Sequence, residues 1–185
     1  MKVQFIGHSF LAYPPTQEKI MSMLTTGVEC EFYARGGARI SQMDEIGPAQ
    51  GDVCDIAVLH IGGNDVVPRR PGVPLPSPWD VKVRILQYAR RVKERTEAKQ
   101  IWIVPLHPRA DWCPCSSAYN RRIRHINRML EEEVERYAGI SFLRVLNFKT
   151  NPPSNYDRLG VHPTGPRWVK YCVRVAKAAE RYDTA

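Results

Sequence analysis

The stretch that decides the fold is VQFIGHSF, residues 3–10. Its first part, Val3 to Ile6, is short, apolar and rich in β-branched and aromatic residues, which predicts a strand buried in a parallel sheet. Gly7, His8 and Ser9 follow at once, so this strand is predicted to end in a turn that carries a serine. Open α/β sheets bind their ligands at the carboxyl ends of their strands, so Ser9 is a candidate nucleophile.

Four later segments have the same composition and are also predicted to be strands: residues 28–33, 56–61, 101–106 and 140–146. The clearest helical pattern runs from Tyr119 to Tyr137, where apolar residues recur at spacings of three and four. Three more helices are predicted: one that contains residues 20–24, one that begins after an N-cap at Ser77, and one from about Pro166 to Arg181 with Trp168 and Cys172 facing inward. This alternation predicts a three-layer α/β/α fold with a parallel five-stranded sheet, in a single domain of residues 1–185.

Composition fits one globular domain and gives no sign of a membrane segment. The chain has 185 residues, of which 43% are hydrophobic and 25% charged. No apolar run approaches the roughly 20 residues that a membrane-spanning helix needs, and we therefore expect an intracellular, cytoplasmic protein. The five cysteines are irregularly spaced, and Cys113-Pro114-Cys115 lacks the spacing of common zinc sites. Free thiols are the expected state.

The net charge of +8 favours anionic partners such as RNA or an anionic membrane surface. Basic residues cluster in two predicted helices, at positions 90, 91, 93 and 95 and at positions 121, 122, 124 and 128. The simpler interpretation of each cluster is a solvated helix face opposite the apolar residues.

Two further motifs place polar side chains near the predicted strand ends. Gly62-Gly63-Asn64-Asp65 follows the third strand, where the Asn64 amide is a candidate donor to an oxyanion, although the same residues also make a good turn. His162 precedes the last helix and is a candidate general base for Ser9. Taken alone, Ser9 is better explained as a helix cap in a strand-to-helix turn. His107 also follows a strand, and we expect it to be an ordinary loop histidine.

In combination these motifs resemble the SGNH (GDSL-type) hydrolase superfamily, named for its Ser, Gly, Asn and His. The matching blocks are FIGHSF at 5–10, Gly37 after the second strand, IGGND at 61–65 and VHP at 161–163, and they cover nearly the whole chain. The sequences of these blocks are most similar to those of the esterase-like domains encoded in the first open reading frame of some non-LTR retrotransposons. The resemblance implies a flavodoxin-like sheet of order 2-1-3-4-5. It also implies ester hydrolysis without metal or organic cofactor, with an oxyanion hole formed by Ser9, Gly37 and Asn64.

The sequence departs from this superfamily at two positions. The residue between Gly7 and Ser9 is usually Asp, and here it is His8. The acid that orients the histidine usually lies three residues before it, where this chain has Leu159. Asp157 lies five residues before His162, so a longer loop must bring it to the imidazole if it completes the triad; otherwise the site is a Ser-His dyad or inactive.

The sequence therefore predicts a serine esterase acting on a small ester or a lipid-like substrate, with Ser9, His162 and Asp157 as catalytic residues. The loops 65–78 and 107–117 are candidate walls of its pocket, and equally candidate partner-binding or rigid surface loops. The competing prediction is a catalytically weak or inactive module of the same fold that binds RNA or anionic lipid through its basic surface, as a member of the superfamily that lacks the serine binds RNA. A third prediction combines the two, an esterase held near such a partner by its basic face.

Overall fold

The computed structural model describes residues 1–24, 27–68, 72–114, 116–144 and 156–183. Five parallel strands form one sheet: β1 (Lys2–Gly7), β2 (Glu29–Ala34), β3 (Ile56–His60), β4 (Gln100–Ile103) and β5 (Ile140–Phe142). Their spatial order is β2-β1-β3-β4-β5, which confirms the predicted order 2-1-3-4-5.

The helices are α1 (Ser9–Ala12), α2 (Pro14–Met21), α3 (Met43–Ile46), α4 (Pro78–Thr96), α5 (Ser116–Glu133) and α6 (Gly165–Asp183). Short 3-10 helices cover Ile40–Gln42, Gly63–Val66 and Val134–Arg136. Ser77 caps α4 as predicted: its hydroxyl accepts a hydrogen bond from the Asp80 N–H, and the Asp80 carboxylate accepts one from the Ser77 N–H. Such a cap contributes about 1 kcal/mol to helix stability.

Successive side chains of a strand point to opposite faces, so the sheet has two hydrophobic cores. On one face, strand residues such as Leu59 and Ile101 pack against α4 and α5. On the other face, Phe5 and Val58 pack against α2 and α6. Within α6, Cys172 is buried as predicted, whereas the Trp168 side chain lies outside the described residues. This arrangement is the predicted three-layer α/β/α fold.

The fourth strand is shorter than predicted. It ends at Ile103 rather than at Leu106, although the Val104 N–H still donates a hydrogen bond to the Leu59 carbonyl at 2.9 Å. Pro105 has no N–H to donate to β5, so the ladder cannot continue. The chain then turns towards α5, where the Leu106 N–H donates to Asn127 Oδ1 at 2.8 Å. In β5, residues 145 and 146 of the predicted strand lie outside the described ranges.

The same parallel topology brings the chain segments that follow β1, β3 and β4 to one edge of the sheet. These segments carry Ser9, Asn64 and Arg109, respectively. Across the described residues, no helix is long and apolar enough to cross a membrane.

Candidate active site

Ser9 lies two residues beyond β1, at the first position of the four-residue helix α1. His8 is the N-cap of this helix, but its side chain makes no capping hydrogen bond. The Ser9 hydroxyl is also not used as a cap. It lies 2.9 Å from Nε2 of His162, which is 153 residues away in the sequence.

His162 in turn contacts Asp157, with Nδ1 2.8 Å from the carboxylate oxygen Oδ2. Since the carboxylate can only accept, Nδ1 carries the proton and donates it to Asp157. The unprotonated Nε2 is then left to accept a hydrogen bond from the Ser9 hydroxyl. The structure therefore brings Ser9, His162 and Asp157 into one hydrogen-bonded chain.

The loop before His162 explains how an acid five residues upstream reaches the imidazole. Tyr156 and Pro163 form an antiparallel bridge, so the chain between them folds back on itself. Within it, the Gly160 N–H donates to the Asp157 carbonyl at 2.9 Å, and Gly160 has a φ of +68°. This conformation favours glycine because a Cβ would crowd the backbone there.

Asp157 is held by both of its carboxylate oxygens. While Oδ2 faces His162, Oδ1 accepts a hydrogen bond from the Val161 N–H at 2.9 Å. Burial alone would raise the pKa of this carboxyl, but the hydrogen bonds from Val161 and His162 outweigh it, and the pKa of Asp157 is lowered from its usual value. Asp157 is therefore ionised at neutral pH and fixed in orientation.

Asn64 lies in the 3-10 helix that follows β3. Its Nδ2 donates a hydrogen bond to the Ala38 carbonyl at 2.9 Å, which links the segments after β2 and β3. The Asp65 carboxylate makes a second link between them by accepting from the Ile40 N–H. An amide nitrogen carries two hydrogens, so one remains to donate towards the cavity that Asn64 helps to line.

Gly37 is exposed, in the turn between β2 and Ala38, and has a φ of +72°. It is not among the residues that line the cavity beside Ser9. Its neighbour Ala38 reaches the site indirectly, through the hydrogen bond to Asn64. The structure thus shows no contact from Gly37 to Ser9.

A cavity of about 40 Å³ opens beside Ser9, Asn64 and His162. The wall also includes Arg109, the aromatic side chains of His8, Phe10, His60, His107 and Tyr119, and the residues Gly63, Val161 and Pro163. By the same measure one water molecule needs about 10–15 Å³. The cavity therefore has room for a group of only a few non-hydrogen atoms.

Three histidines of the cavity wall form a cluster that the sequence did not predict: His60 and His107 are buried, and His8 is partly buried. The ring centroids of His8 and His60 are 4.8 Å apart, and those of His60 and His107 are 4.4 Å apart. Phe10 and Tyr171 pack edge-on against His107. His107 lies in a loop, as predicted, but its side chain is buried against this cluster. The only sequence signal was that each of the three follows or ends a strand.

Burial keeps these imidazoles neutral. Desolvation lowers the pKa of His8 to about 4 and that of His107 to about 3, with nearby imidazoles, including His162, adding repulsion. The pKa of His60 is lowered well below its usual value for the same reasons. Among the described residues, the ring nitrogens of His8 and His60 have no hydrogen-bond partner. Within the same ranges, no group of three or more His, Cys, Asp or Glu side chains has an arrangement that fits a metal ion.

The two candidate wall loops differ in what they contribute. The second, which begins at His107, supplies His107 and Arg109 to the cavity wall. The first was predicted to line the pocket, but no described residue of the loop 65–78 is part of the wall. That loop packs elsewhere: the Pro76 carbonyl accepts a hydrogen bond from the Arg122 side chain, and Ser77 caps α4.

No protein-family model matches the chain, and no curated protein matches it. Solved structures do match over almost its full length. A GDSL-like lipase from Bacteroides thetaiotaomicron is 18% identical, with a TM-score of 0.67 over 98% of this chain and 88% of that one. A lipase from a goat rumen metagenome is 14% identical, with a TM-score of 0.72 over 96% and 97%. A carbohydrate esterase family 3 protein from Talaromyces cellulolyticus is 12% identical, with a TM-score of 0.71 over 100% and 98%. Identities this low compare folds only, and the fold of this chain is that of the GDSL-type lipases and acylhydrolases.

Proposed function

We propose that this protein is a serine esterase that hydrolyses carboxylic esters with short acyl groups. The observation that carries the proposal is the position of His162, whose two ring nitrogens lie 2.9 Å from the Ser9 hydroxyl and 2.8 Å from the Asp157 carboxylate. A serine hydroxyl is a weak nucleophile unless a base removes its proton, and this contact supplies the base.

In the proposed reaction, His162 Nε2 takes the proton of Ser9 as Oγ attacks the ester carbonyl. Asp157 stabilises the imidazolium that forms, and it remains ionised throughout. The tetrahedral intermediate collapses when the imidazolium protonates the leaving-group oxygen, which takes the electrons of the ester bond and departs as the alcohol. His162 then takes a proton from the water that attacks the acyl-enzyme, and it gives this proton to Ser9 Oγ as the acyl–oxygen bond breaks and the acid is released.

Negative charge on the carbonyl oxygen needs hydrogen-bond donors in both steps. The proposed donors are the backbone N–H groups of Ser9 and Gly37 and the side-chain amide of Asn64. The hydrogen bond from Asn64 to the Ala38 carbonyl supports this role because it fixes the amide before substrate arrives. Gly37 remains the least supported of the three donors, since it does not line the cavity.

The cavity supports a short acyl group. A volume of about 40 Å³ accommodates the three non-hydrogen atoms of an acetyl group, whereas a fatty acyl chain would have to extend beyond it. We accordingly propose acetyl esters as substrates before longer, lipid-like esters. The finer similarity to retrotransposon-encoded esterase domains stays a prediction of the sequence.

Binding of RNA or an anionic membrane also stays a prediction. The basic clusters are partly neutralised within the fold, since Arg91 and Arg95 both pair with Asp44. Arg121 and Arg124 are exposed on α5 and contribute to the positive surface. Among the described residues, the hydrogen bonds that link Ser9, His162 and Asp157 support ester hydrolysis more specifically than the basic residues support binding of RNA or a membrane.

The proposal is tested by treating the protein with 4-nitrophenyl acetate and with a fluorophosphonate probe, followed by mass mapping of the labelled peptide. We expect the label on Ser9. Ser9→Ala should lower turnover by at least about a thousandfold with an unchanged circular dichroism spectrum. Ser22→Ala, which removes an exposed hydroxyl at the end of α2, is the matched control and should remain active. A label on another serine, with full activity in Ser9→Ala, would remove the proposal.

A further inference from the structure

Arg109 is a cationic side chain in the wall of the cavity, and it has no role in the proposed mechanism. It follows β4 and shares the cavity with Ser9, Asn64 and His162. Its guanidinium carbon lies 4.4 Å from the centroid of the Tyr119 ring, in a cation–π contact. The hydroxyl end of Tyr119 approaches Gly63, next to Asn64, so the stacked pair stands at the edge of the reacting region.

The backbone of Arg109 is fixed by a buried side chain. The Arg109 N–H donates to Asn120 Oδ1 at 2.8 Å, and the Arg109 carbonyl accepts from Asn120 Nδ2 at 2.9 Å. Asn120 is 5% exposed and follows Tyr119 directly in α5. One turn of α5 thus holds both the backbone and the guanidinium of Arg109. A charged group fixed in this way loses little further entropy when it binds a ligand.

The charge of Arg109 is not balanced by the protein in the parts of the chain that the structure describes, where no carboxylate forms an ion pair with it. Asp157, the carboxylate of the neighbouring loop, is engaged by His162 and the Val161 N–H. A half-buried guanidinium beside aromatic walls is stabilised by an anion, and its planar fork matches the two oxygens of a carboxylate or phosphate. An uncharged hydrocarbon in its place would desolvate the cation without compensation.

We propose that Arg109 binds a carboxylate or phosphate group of the substrate, so that the preferred substrates are acetyl-type esters whose alcohol part carries an anionic group. This inference rests on the proposed function of Ser9. The net charge of +8 fits it, because the field of the whole molecule concentrates anionic substrates around the site.

The test compares two esters that share the acetyl group and the ring and differ in charge: 4-acetoxybenzoate and the neutral 4-acetoxybenzamide. The measured quantity is the ratio of their kcat/KM values. Because the two leaving groups have the same chemistry in every variant, a change in this ratio reports the protein alone. We expect Arg109→Gln to lower the ratio about ten- to a hundredfold, the range for loss of a charge-assisted hydrogen bond.

Arg90→Gln is the matched control. Arg90 is an exposed residue towards the end of α4, in a surface pocket with Arg136 and Ile140 at the opposite edge of the sheet. The Arg90→Gln substitution removes the same formal charge from the molecule as Arg109→Gln does. An equal fall of the kcat/KM ratio in both variants would therefore attribute the preference for the anionic ester to the overall field and overturn the proposal. Arg109→Lys keeps the charge without the planar fork and should give an intermediate ratio. If Arg109 only supports the fold, both esters should lose rate together and the ratio should not move.

A third ester, 4-acetoxyphenyl phosphate, distinguishes whether Arg109 binds a carboxylate or a phosphate group. A larger loss in Arg109→Gln for this ester than for 4-acetoxybenzoate would identify phosphate as the group bound, and the reverse would identify carboxylate. No loss for either would overturn the inference.

A binding measurement separates this inference from the proposed hydrolysis. The amides 4-acetamidobenzoate and 4-acetamidobenzamide are titrated calorimetrically into Ser9→Ala, which lacks the nucleophile. We expect the anion to bind more tightly than the neutral amide, and Arg109→Gln in this background to abolish the difference. Equal binding of the two amides would overturn the role of Arg109, whereas selective binding with an inactive wild type would contradict only the esterase function.

Discussion

At the scale of single residues, the two carboxylate oxygens of Asp157 accept hydrogen bonds from two different groups. Oδ1 accepts from the Val161 N–H and stabilises the turn, while Oδ2 accepts from Nδ1 of His162. These contacts make a direct prediction. Asn at this position keeps the size of the side chain but presents either an amide oxygen or an amide nitrogen to the imidazole, and it stabilises the imidazolium less.

We expect Asp157→Asn to lower kcat by about 10² to 10⁴ at neutral pH, with a smaller change in KM. Steady-state kinetics with an acetyl ester give both constants. Asp52→Asn is a suitable control because that acid is bonded to Lys2, beside the amino end of β1. A loss of less than about fivefold in Asp157→Asn would show that the site operates as a Ser-His dyad.

At the scale of elements, the loop between Tyr156 and Pro163 determines whether His162 reaches Ser9. Gly160 is its most constrained residue. A Cβ there would lie 2.9 Å from the Ala110 Cβ and 3.0 Å from Trp112 Nε1, so the loop packs directly on the chain segment that follows β4. The Ala110 N–H also donates to the Gly160 carbonyl at 2.8 Å.

We therefore expect Gly160→Ala to lower the free energy of unfolding by about 2–4 kcal/mol, from backbone strain together with overpacking. The same change should lower kcat at least tenfold because it displaces His162. Gly51→Ala is the matched control: Gly51 also has a positive φ, of +83°, but a Cβ there would meet nothing within 4 Å. Denaturant unfolding and steady-state kinetics measure both effects. Equal destabilisation in the two variants, with kcat unchanged, would contradict the proposed packing role.

The sequence predicted the elements better than the site. Strand and helix positions and the Ser77 cap follow from local patterns, whereas the sheet order was implied only by the resemblance to the SGNH superfamily. The end of β4 depended on Pro105. Ser9 and His162 came from short motifs at element ends, and Asp157 from its nearness to His162. Arg109 and His60 were missed because their importance arises from packing between loops that are distant in the sequence, which no local pattern records.

At the scale of the whole molecule, a cluster of three histidines is expected to make the stability of the folded protein sensitive to acid. His8, His60 and His107 lie between the sheet edge and α6, where they face one another, His162 and Tyr171. All three have lowered pKa values because burial penalises the charged form. In the unfolded chain the same imidazoles titrate near pH 6.5.

The sign of the effect follows from proton binding. Above about pH 6.5 the imidazoles are neutral in both states, and their effect on stability does not depend on pH. As pH falls below 6.5, the unfolded chain binds protons that the folded protein excludes, so the free energy of unfolding decreases until the folded pKa values are reached. Carboxylates with lowered pKa values, such as Asp157, add their own loss only near and below their unfolded values around pH 4. Between pH 6.5 and pH 5, the loss in the free energy of unfolding therefore comes from the histidines.

We expect each buried imidazole to remove about 2 kcal/mol of stability between pH 6.5 and pH 5, which for three of them is comparable to the whole stability of a small domain. Urea unfolding at a series of pH values measures the slope. His60→Leu should reduce that slope by about one proton, or about 1.4 kcal/mol per pH unit. His125→Leu should not change it, because His125 is exposed on α5 and is not desolvated by folding. A free energy of unfolding that stays constant from pH 7 to pH 5 would show that the cluster is solvated or already protonated in the folded protein.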